Sequence, residues 1–227
     1  MSTHEPEAGR FVYKYPHPAV ASDLAIFGLR GGRLMILLIR RGGEPFLGSW
    51  ALPGGFLNPT EDLDACARRE LQEETGLEVA YLKQFGIFSA PDRDPRERVI
   101  SVAYLALVPA DRVNPEAGSD AADVAWRFVD DLPPLAFDHA EIIREATAAL
   151  RREAEGLEIL LNLMPRRFTL SRLQSAYEAI CGASADKRNF RARILASGLV
   201  EATEEMERGS HRPAQLYERR PKVLNGE

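Results

Sequence analysis

The chain has 227 residues, of which 45% are hydrophobic, 28% charged and 8% aromatic, a globular composition that excludes the disordered and fibrous classes. Its net charge of −5 is uneven: residues 157–227 hold 12 Lys and Arg against 9 Asp and Glu, net +3, leaving 17 against 25, net −8, for residues 1–156. No apolar run approaches the roughly 18 to 20 residues that span a bilayer, so no membrane partner is expected.

In chain order, a polar and acidic arm, MSTHEPEAGR, lacks the basic and apolar regions of a secretory signal, and a cytoplasmic location is expected. Ala19 to Leu29 and Arg33 to Ile39 are apolar and rich in branched residues, and Gly31-Gly32 between them predicts a hairpin. A loop punctuated by Gly and Pro leads into Glu61 to Thr75, where Leu63, Ala67 and Leu71 recur at helical spacing until Gly76 supplies a stop. Val79 to Phe88, Val99 to Val108 and Val124 to Val129 read as strands, and Asp138 to Glu155 as a helix with Ile142, Ile143, Ala146 and Leu150 as its buried stripe. The charged stretch RREAEG marks a boundary, so residues 1–156 form an α/β layered body.

Beyond Gly156 the pattern becomes short helices, Leu157 to Leu163, Leu170 to Ile180 and Asp186 to Ser197, then a hairpin of Leu199 to Ala202 with Ala214 to Arg219. Three helices followed by a hairpin is winged-helix order. Asp186 to Ser197 places Phe190, Ile194 and Leu195 inward and leaves Lys187, Arg188, Asn189 and Arg191 outward, as a helix reading a major groove requires. The tip from Arg208 to Pro213 can serve as a wing. A protein-docking appendage with a solvated basic face is the competing reading. Cys66 and Cys181 are too few for a disulfide framework and too isolated for a zinc cluster.

The segment Gly55 to Leu77 carries the chemistry. Glu70 and Glu74 are four apart on one helical face, Glu73 lies alongside, and Arg69 is set to pair with an acidic neighbour. Three close carboxylates repel unless a cation sits among them, and all-oxygen ligands select Mg²⁺ or Mn²⁺ over zinc. Asp92, Asp94 and Glu97 are candidate general bases, with a charged turn as the alternative. At these positions the sequence resembles the Nudix hydrolase family, whose box is filled by Gly55, Glu61, Arg69, Glu70, Leu71, Glu73, Glu74, Gly76 and Leu77.

That resemblance implies an α/β/α sandwich with a mixed sheet, in which Glu70, Glu73 and Glu74 hold the metal and Glu61 and Arg69 brace the helix. Gly55, Arg41, Arg93, Arg96 and Arg98 are the candidates to meet substrate, and Phe46, Trp50 and Phe137 the candidates to stack on a base. With KYPHPAV, PDRDPRERVISVAYLALVPAD, FTLSRLQSAYEAI and HRPAQLYERR added, nearly the whole chain is similar to the Nudix-related transcriptional regulators of NAD metabolism. The resemblance implies a homodimer that binds operator DNA through residues 157–227, with Lys187, Arg188, Asn189, Arg191, Arg193, His211 and Arg212 at the DNA, and ADP-ribose or a related nucleotide as effector. An ADP-ribose pyrophosphatase, and a regulator of sugar catabolism on the same scaffold, are the alternatives.

Overall fold

The computed structural model describes residues 14–77, 79, 81–109, 111–112, 124–207 and 213–221. The elements in order are β1 (Ala19–Arg30), β2 (Arg33–Arg40), β3 (Trp50–Ala51), β4 (Gly54–Phe56), α1 (Leu63–Thr75), β5 (Tyr81–Phe88), β6 (Val99–Leu107), β7 (Val124–Phe128), α2 (His139–Ala154), a 3₁₀ turn (Glu158–Leu163), β8 (Phe168–Thr169), α3 (Leu170–Cys181), α4 (Lys187–Ala196), β9 (Val200–Glu207) and β10 (Ala214–Arg219). The hairpin between β1 and β2 turns at Gly31 and Gly32, whose φ angles of 58° and 74° lie in the left-handed region that glycine enters without penalty.

Among the described residues, seven strands form one mixed sheet in the order β3-β2-β1-β6-β5, with β4 beside β1 and β7 beside β2. β1 and β6 pair in parallel over Ala19 to Phe27, and the other pairs are antiparallel. The parallel pair is central because both of its faces are covered, which explains why β6 is apolar along nearly its whole length. Side chains alternate. Ala25, Phe27, Ile36, Leu38, Leu105 and Leu107 face α2, whereas Leu24, Ile26, Leu37, Tyr104 and Ala106 face Ala67 and Leu71 of α1. One helix on each face gives the α/β/α sandwich expected from the sequence.

The C-terminal residues fold as α3 and α4 against a three-stranded sheet in the order β8-β10-β9, a winged helix. Its core is continuous with that of the sandwich: Ile142, Ala146 and Leu150 of α2 join Leu160, Leu173, Phe190, Ile194 and Val200 in one buried cluster with the sheet. The second half is welded to the first through α2.

Several boundaries depart from the sequence reading for physical reasons. α1 begins at Leu63, leaving Glu61 in the loop, because the Asp62 carboxylate caps the Ala65 N–H. The segment after Gly156 is a 3₁₀ turn instead of an α-helix, entered through Leu157 at φ 65°. β9 runs on to Glu207, and β3, β4 and β8 are pairs or triplets too short to carry a period. Leu195 is 50% exposed while Phe190 and Ile194 are buried, since a residue five positions on points well away from the face shared by i and i+4. Residues 208–212 of the wing tip, including His211 and Arg212, lie outside the described residues.

Candidate functional site

The loop from β4 meets α1 and β1 so closely that a side chain at Gly55 would displace the Glu70 carboxylate and one at Gly54 would strike the β1 backbone. A β-carbon at Gly55 would lie 2.1 Å from Glu70 Oε1, and one at Gly54 would lie 2.2 Å from the Ser22 carbonyl oxygen. The Gly54 N–H donates to Glu74 Oε2 at 2.7 Å, so the loop backbone lies directly on the glutamate face of α1. Arg69 organises that face. Its Nε and Nη2 grip both oxygens of Glu61 at 3.0 and 2.6 Å, and its Nη1 donates to Glu70 at 2.6 Å and to Glu73 at 3.1 Å. The guanidinium holds the Glu61 carboxyl down to about 2. Glu61 and Arg69 thus meet as one bidentate pair that ties the loop before α1 to the helix.

Among the described residues Glu74 is the member of the three glutamates that forms no salt bridge. Burial, together with Glu70, Asp23 and Glu73 nearby, pushes its carboxyl up to about 7 despite the Gly54 hydrogen bond. An all-carboxylate cluster under that repulsion suits a hard divalent cation. With Arg69 holding Glu70 and Glu73, no three His, Cys, Asp or Glu groups among the described residues are gathered at metal-holding spacing. Arg69 Nη1 holds one oxygen of each, Glu70 Oε1 and Glu73 Oε2, while Nε and Nη2 keep Arg69 on Glu61.

Beside Glu74 opens a cleft of about 270 Å³, walled by Arg41, Phe56, Arg96 and Phe137 and floored by Asp23, Arg93 and His139. Arg41 is anchored by backbone carbonyls, Pro45 at 2.8 Å and Gly43 at 3.4 Å, and forms no ion pair among the described residues. Its guanidinium lies 4.7 Å over the Phe137 ring; burial and the like charge of Arg96 lower its pKa. Two partly desolvated arginines facing one cleft make an anion-binding wall. Arg96 grips Asp94 at 2.7 and 3.0 Å, which holds that carboxyl below its usual range.

The other predicted residues are distributed differently. Arg93 has a side chain only 5% exposed; it makes a bidentate pair with Asp138 at 2.7 and 2.8 Å and reaches Asp23 at 3.0 Å, so it braces the cleft floor. Arg98 donates to the Ala90 carbonyl and lies outside the cleft lining. Asp92 and Glu97 are exposed on the same loop. Of the aromatic candidates, Phe46 and Phe137 meet edge to face at 4.8 Å, whereas Trp50 packs against the core beneath Arg127. Sequence reasoning missed Asp23 and His139. His139 Nδ1 accepts the Leu52 N–H at 2.8 Å, leaving its proton on Nε2 toward Asp23 Oδ1 at 3.6 Å, and burial lowers its pKa. A lone His and a lone Asp in apolar segments carry no spacing signal.

On the winged helix, Asp186 caps α4 through the Asn189 N–H, and Lys187, Arg188 and Asn189 are exposed in its first turn. Two cations at a helix N-terminus oppose the helix dipole, at a cost of about 0.3 to 1 kcal/mol each before screening by solvent. Arg191 reaches Ser171 of α3 at 3.1 Å, and Arg193 turns back to the Glu155 carbonyl at 3.1 Å. β9 is acidic, with Glu205 paired to Arg167 and Glu201 to Arg220.

Residues 17–155 match the NUDIX domain model, and residues 160–218 match the NrtR DNA-binding winged helix domain. The chain is 38% identical over 207 residues to the ADPR-responsive transcriptional repressor NtrR of Acinetobacter baylyi, covering 89% of this chain and 82% of that protein. The chain belongs to the NrtR family of Nudix proteins. The structure of Shewanella oneidensis NrtR complexed with a 27mer DNA superposes with a TM-score of 0.80 at 30% identity, covering 88% of this chain and 93% of that one. The NUDIX domain of the same NrtR, complexed with ADP ribose, matches with a TM-score of 0.52 at 31% identity over 60% of this chain and 90% of that one. Among the described residues no helix is long and apolar enough to cross a membrane.

Proposed function

We propose that this NrtR-family chain is a cytoplasmic transcriptional repressor of NAD biosynthesis or salvage genes, with residues 1–156 sensing ADP-ribose or a related nucleotide and residues 157–227 binding operator DNA. The observation that carries the reading is the pairing of an arginine-walled cleft beside the glutamate face of α1 with an exposed basic turn at the start of α4. Arg41 and Arg96 hold the diphosphate by charge-assisted hydrogen bonds, with Arg93 bracing the floor. Lys187, Arg188 and Asn189 enter the major groove, and Arg191 stands beside them with Ser171. A homodimer presents two such helices to a near-palindromic site.

Glu70, Glu73 and Glu74 are the residues to hold Mg²⁺ or Mn²⁺, which when bound neutralises phosphate oxygens and lowers the pKa of a water. The carboxylates also favour a second reading, ADP-ribose pyrophosphatase activity on the same site, with Glu61 and Arg69 orienting α1. Gel shifts of an operator upstream of NAD genes, with and without ADP-ribose, test the first reading. Release of the DNA by ligand is expected, and Lys187→Ala should lower the slope of log affinity against log salt by about 1. Absence of salt-sensitive binding would remove it. Incubation of the same sample with ADP-ribose and Mg²⁺, beside Glu74→Gln, tests the second.

A further inference from the structure

Three non-glycine residues among those described have positive φ: Phe46 at 64°, Phe137 at 54° and Leu157 at 65°. For bulky side chains this backbone region is an outlier, held only where surrounding structure enforces it. Two of the three bracket α2. Phe137 immediately precedes its N-cap, Asp138, and Leu157 lies just past its C-cap, Glu155. The third, Phe46, packs its ring on Phe137.

At its N-terminal end α2 is part of the cleft. The Phe137 ring lies 4.7 Å beneath the Arg41 guanidinium, 5.9 Å from that of Arg96 and 5.3 Å from the His139 ring, and Asp138 is clamped by Arg93. At its C-terminal end α2 is part of the winged helix. Arg151 donates to the Ile180 carbonyl at the end of α3 at 2.9 Å, Arg193 of α4 donates to the Glu155 carbonyl, and Leu157 is buried in the same cluster as Phe190 and Ile194. The path between the ends is a single sixteen-residue helix, packed along its length, with a strained residue at each end to absorb a change of setting.

We propose that α2 is the coupling element between the cleft and α4, and that Phe137 is the residue through which an occupant of the cleft moves it. The proposal rests on the cleft being the nucleotide site and α4 the operator contact. A nucleoside diphosphate lying against Phe137, between Arg41 and Arg96, binds two settings of that residue unequally, and the difference passes through α2 and Leu157 to the orientation of α4. Phe137 is a positioning residue for DNA binding that does not touch DNA.

The experiment measures operator affinity of the full chain by fluorescence anisotropy without ADP-ribose and at saturating ADP-ribose, with saturation confirmed by calorimetry. The wild-type ratio is expected to be roughly tenfold or more, within the usual range of such couplings. Phe137→Gly, which accepts positive φ and removes the ring, should bring the ratio within about twofold of unity once its own ADP-ribose requirement is met. Phe46→Ala, removing the neighbouring ring that is not attached to α2, should raise the ADP-ribose concentration needed while leaving the ratio at saturation as in the wild type. Where the glycine variant folds poorly, Phe137→Leu gives the same reading. A wild-type ratio retained by either Phe137 variant overturns the proposal, as does a ratio lost equally in Phe46→Ala, or ligand-free operator binding lost in both Phe137 variants. A wild type whose operator affinity ignores ADP-ribose counts against the proposed function instead.

Discussion

Arg93 illustrates how a residue's role depends on what surrounds it. Three arginines within six positions read alike in sequence, yet Arg93 is buried between Asp23 and Asp138, Arg96 walls the cleft and Arg98 points away. What separates them is tertiary placement: a charge is buried only where two acids from distant segments meet it, and no local spacing encodes that meeting. Arg93→Met takes the shared cation from buried Asp23 and half-buried Asp138, and an unfolding free energy lower by about 3 kcal/mol is expected in urea denaturation. His139 sets a pH dependence. Its folded pKa is depressed by burial below the unfolded value of about 6.5, so its contribution is fully present above that value and is lost as pH falls toward the folded pKa. The stability gap between wild type and His139→Asn should therefore shrink from pH 7.5 to pH 5.5; a gap that widens would contradict a neutral buried imidazole. By contrast the mutual placement of Arg69 and the glutamates of α1 was legible in sequence, because helical spacing alone brings them together, whereas Gly55 in β4 reaches Glu70 across a loop.

Among the elements, the ones visible in sequence are those long enough to show a period. β1, β2, β6, α1 and α2 were found within a few residues of their bounds, while β3, β4 and β8 escaped because two or three residues cannot alternate meaningfully. The start of α1 was misplaced by its own cap. Asp62 accepts the Ala65 N–H, and Asp62→Ala is expected to cost about 1 kcal/mol in thermal or chemical melts. The same change frees the loop that carries Glu61, so the bidentate grip on Arg69 should loosen with it. In α4 the basic turn was legible from composition, but Arg193 was not separable from its neighbours: only the packed helix shows it turned toward the end of α2. β9 adds an acidic strand beside a basic helix, and Glu205 and Glu201 are drawn off into pairs with Arg167 and Arg220, which limits their repulsion of phosphate.

At the scale of the whole molecule, two domain models meet near residue 156, yet burial runs without a break from the central sheet through α2 to Phe190 and Ile194. The charge split between the halves was visible in sequence; this shared interior was not, since an apolar stripe on α2 does not say how many neighbours it serves. One cooperative transition is expected in calorimetry, with matching midpoints by near-ultraviolet dichroism and tryptophan fluorescence; two resolved transitions would show that the halves melt apart. Such a build restricts how the chain can be re-engineered. Exchanging the winged-helix half for that of a distant cousin would transplant a surface tailored to a different α2, so hybrids joined at Gly156 should misfold or aggregate unless the facing residues of that helix travel with the graft.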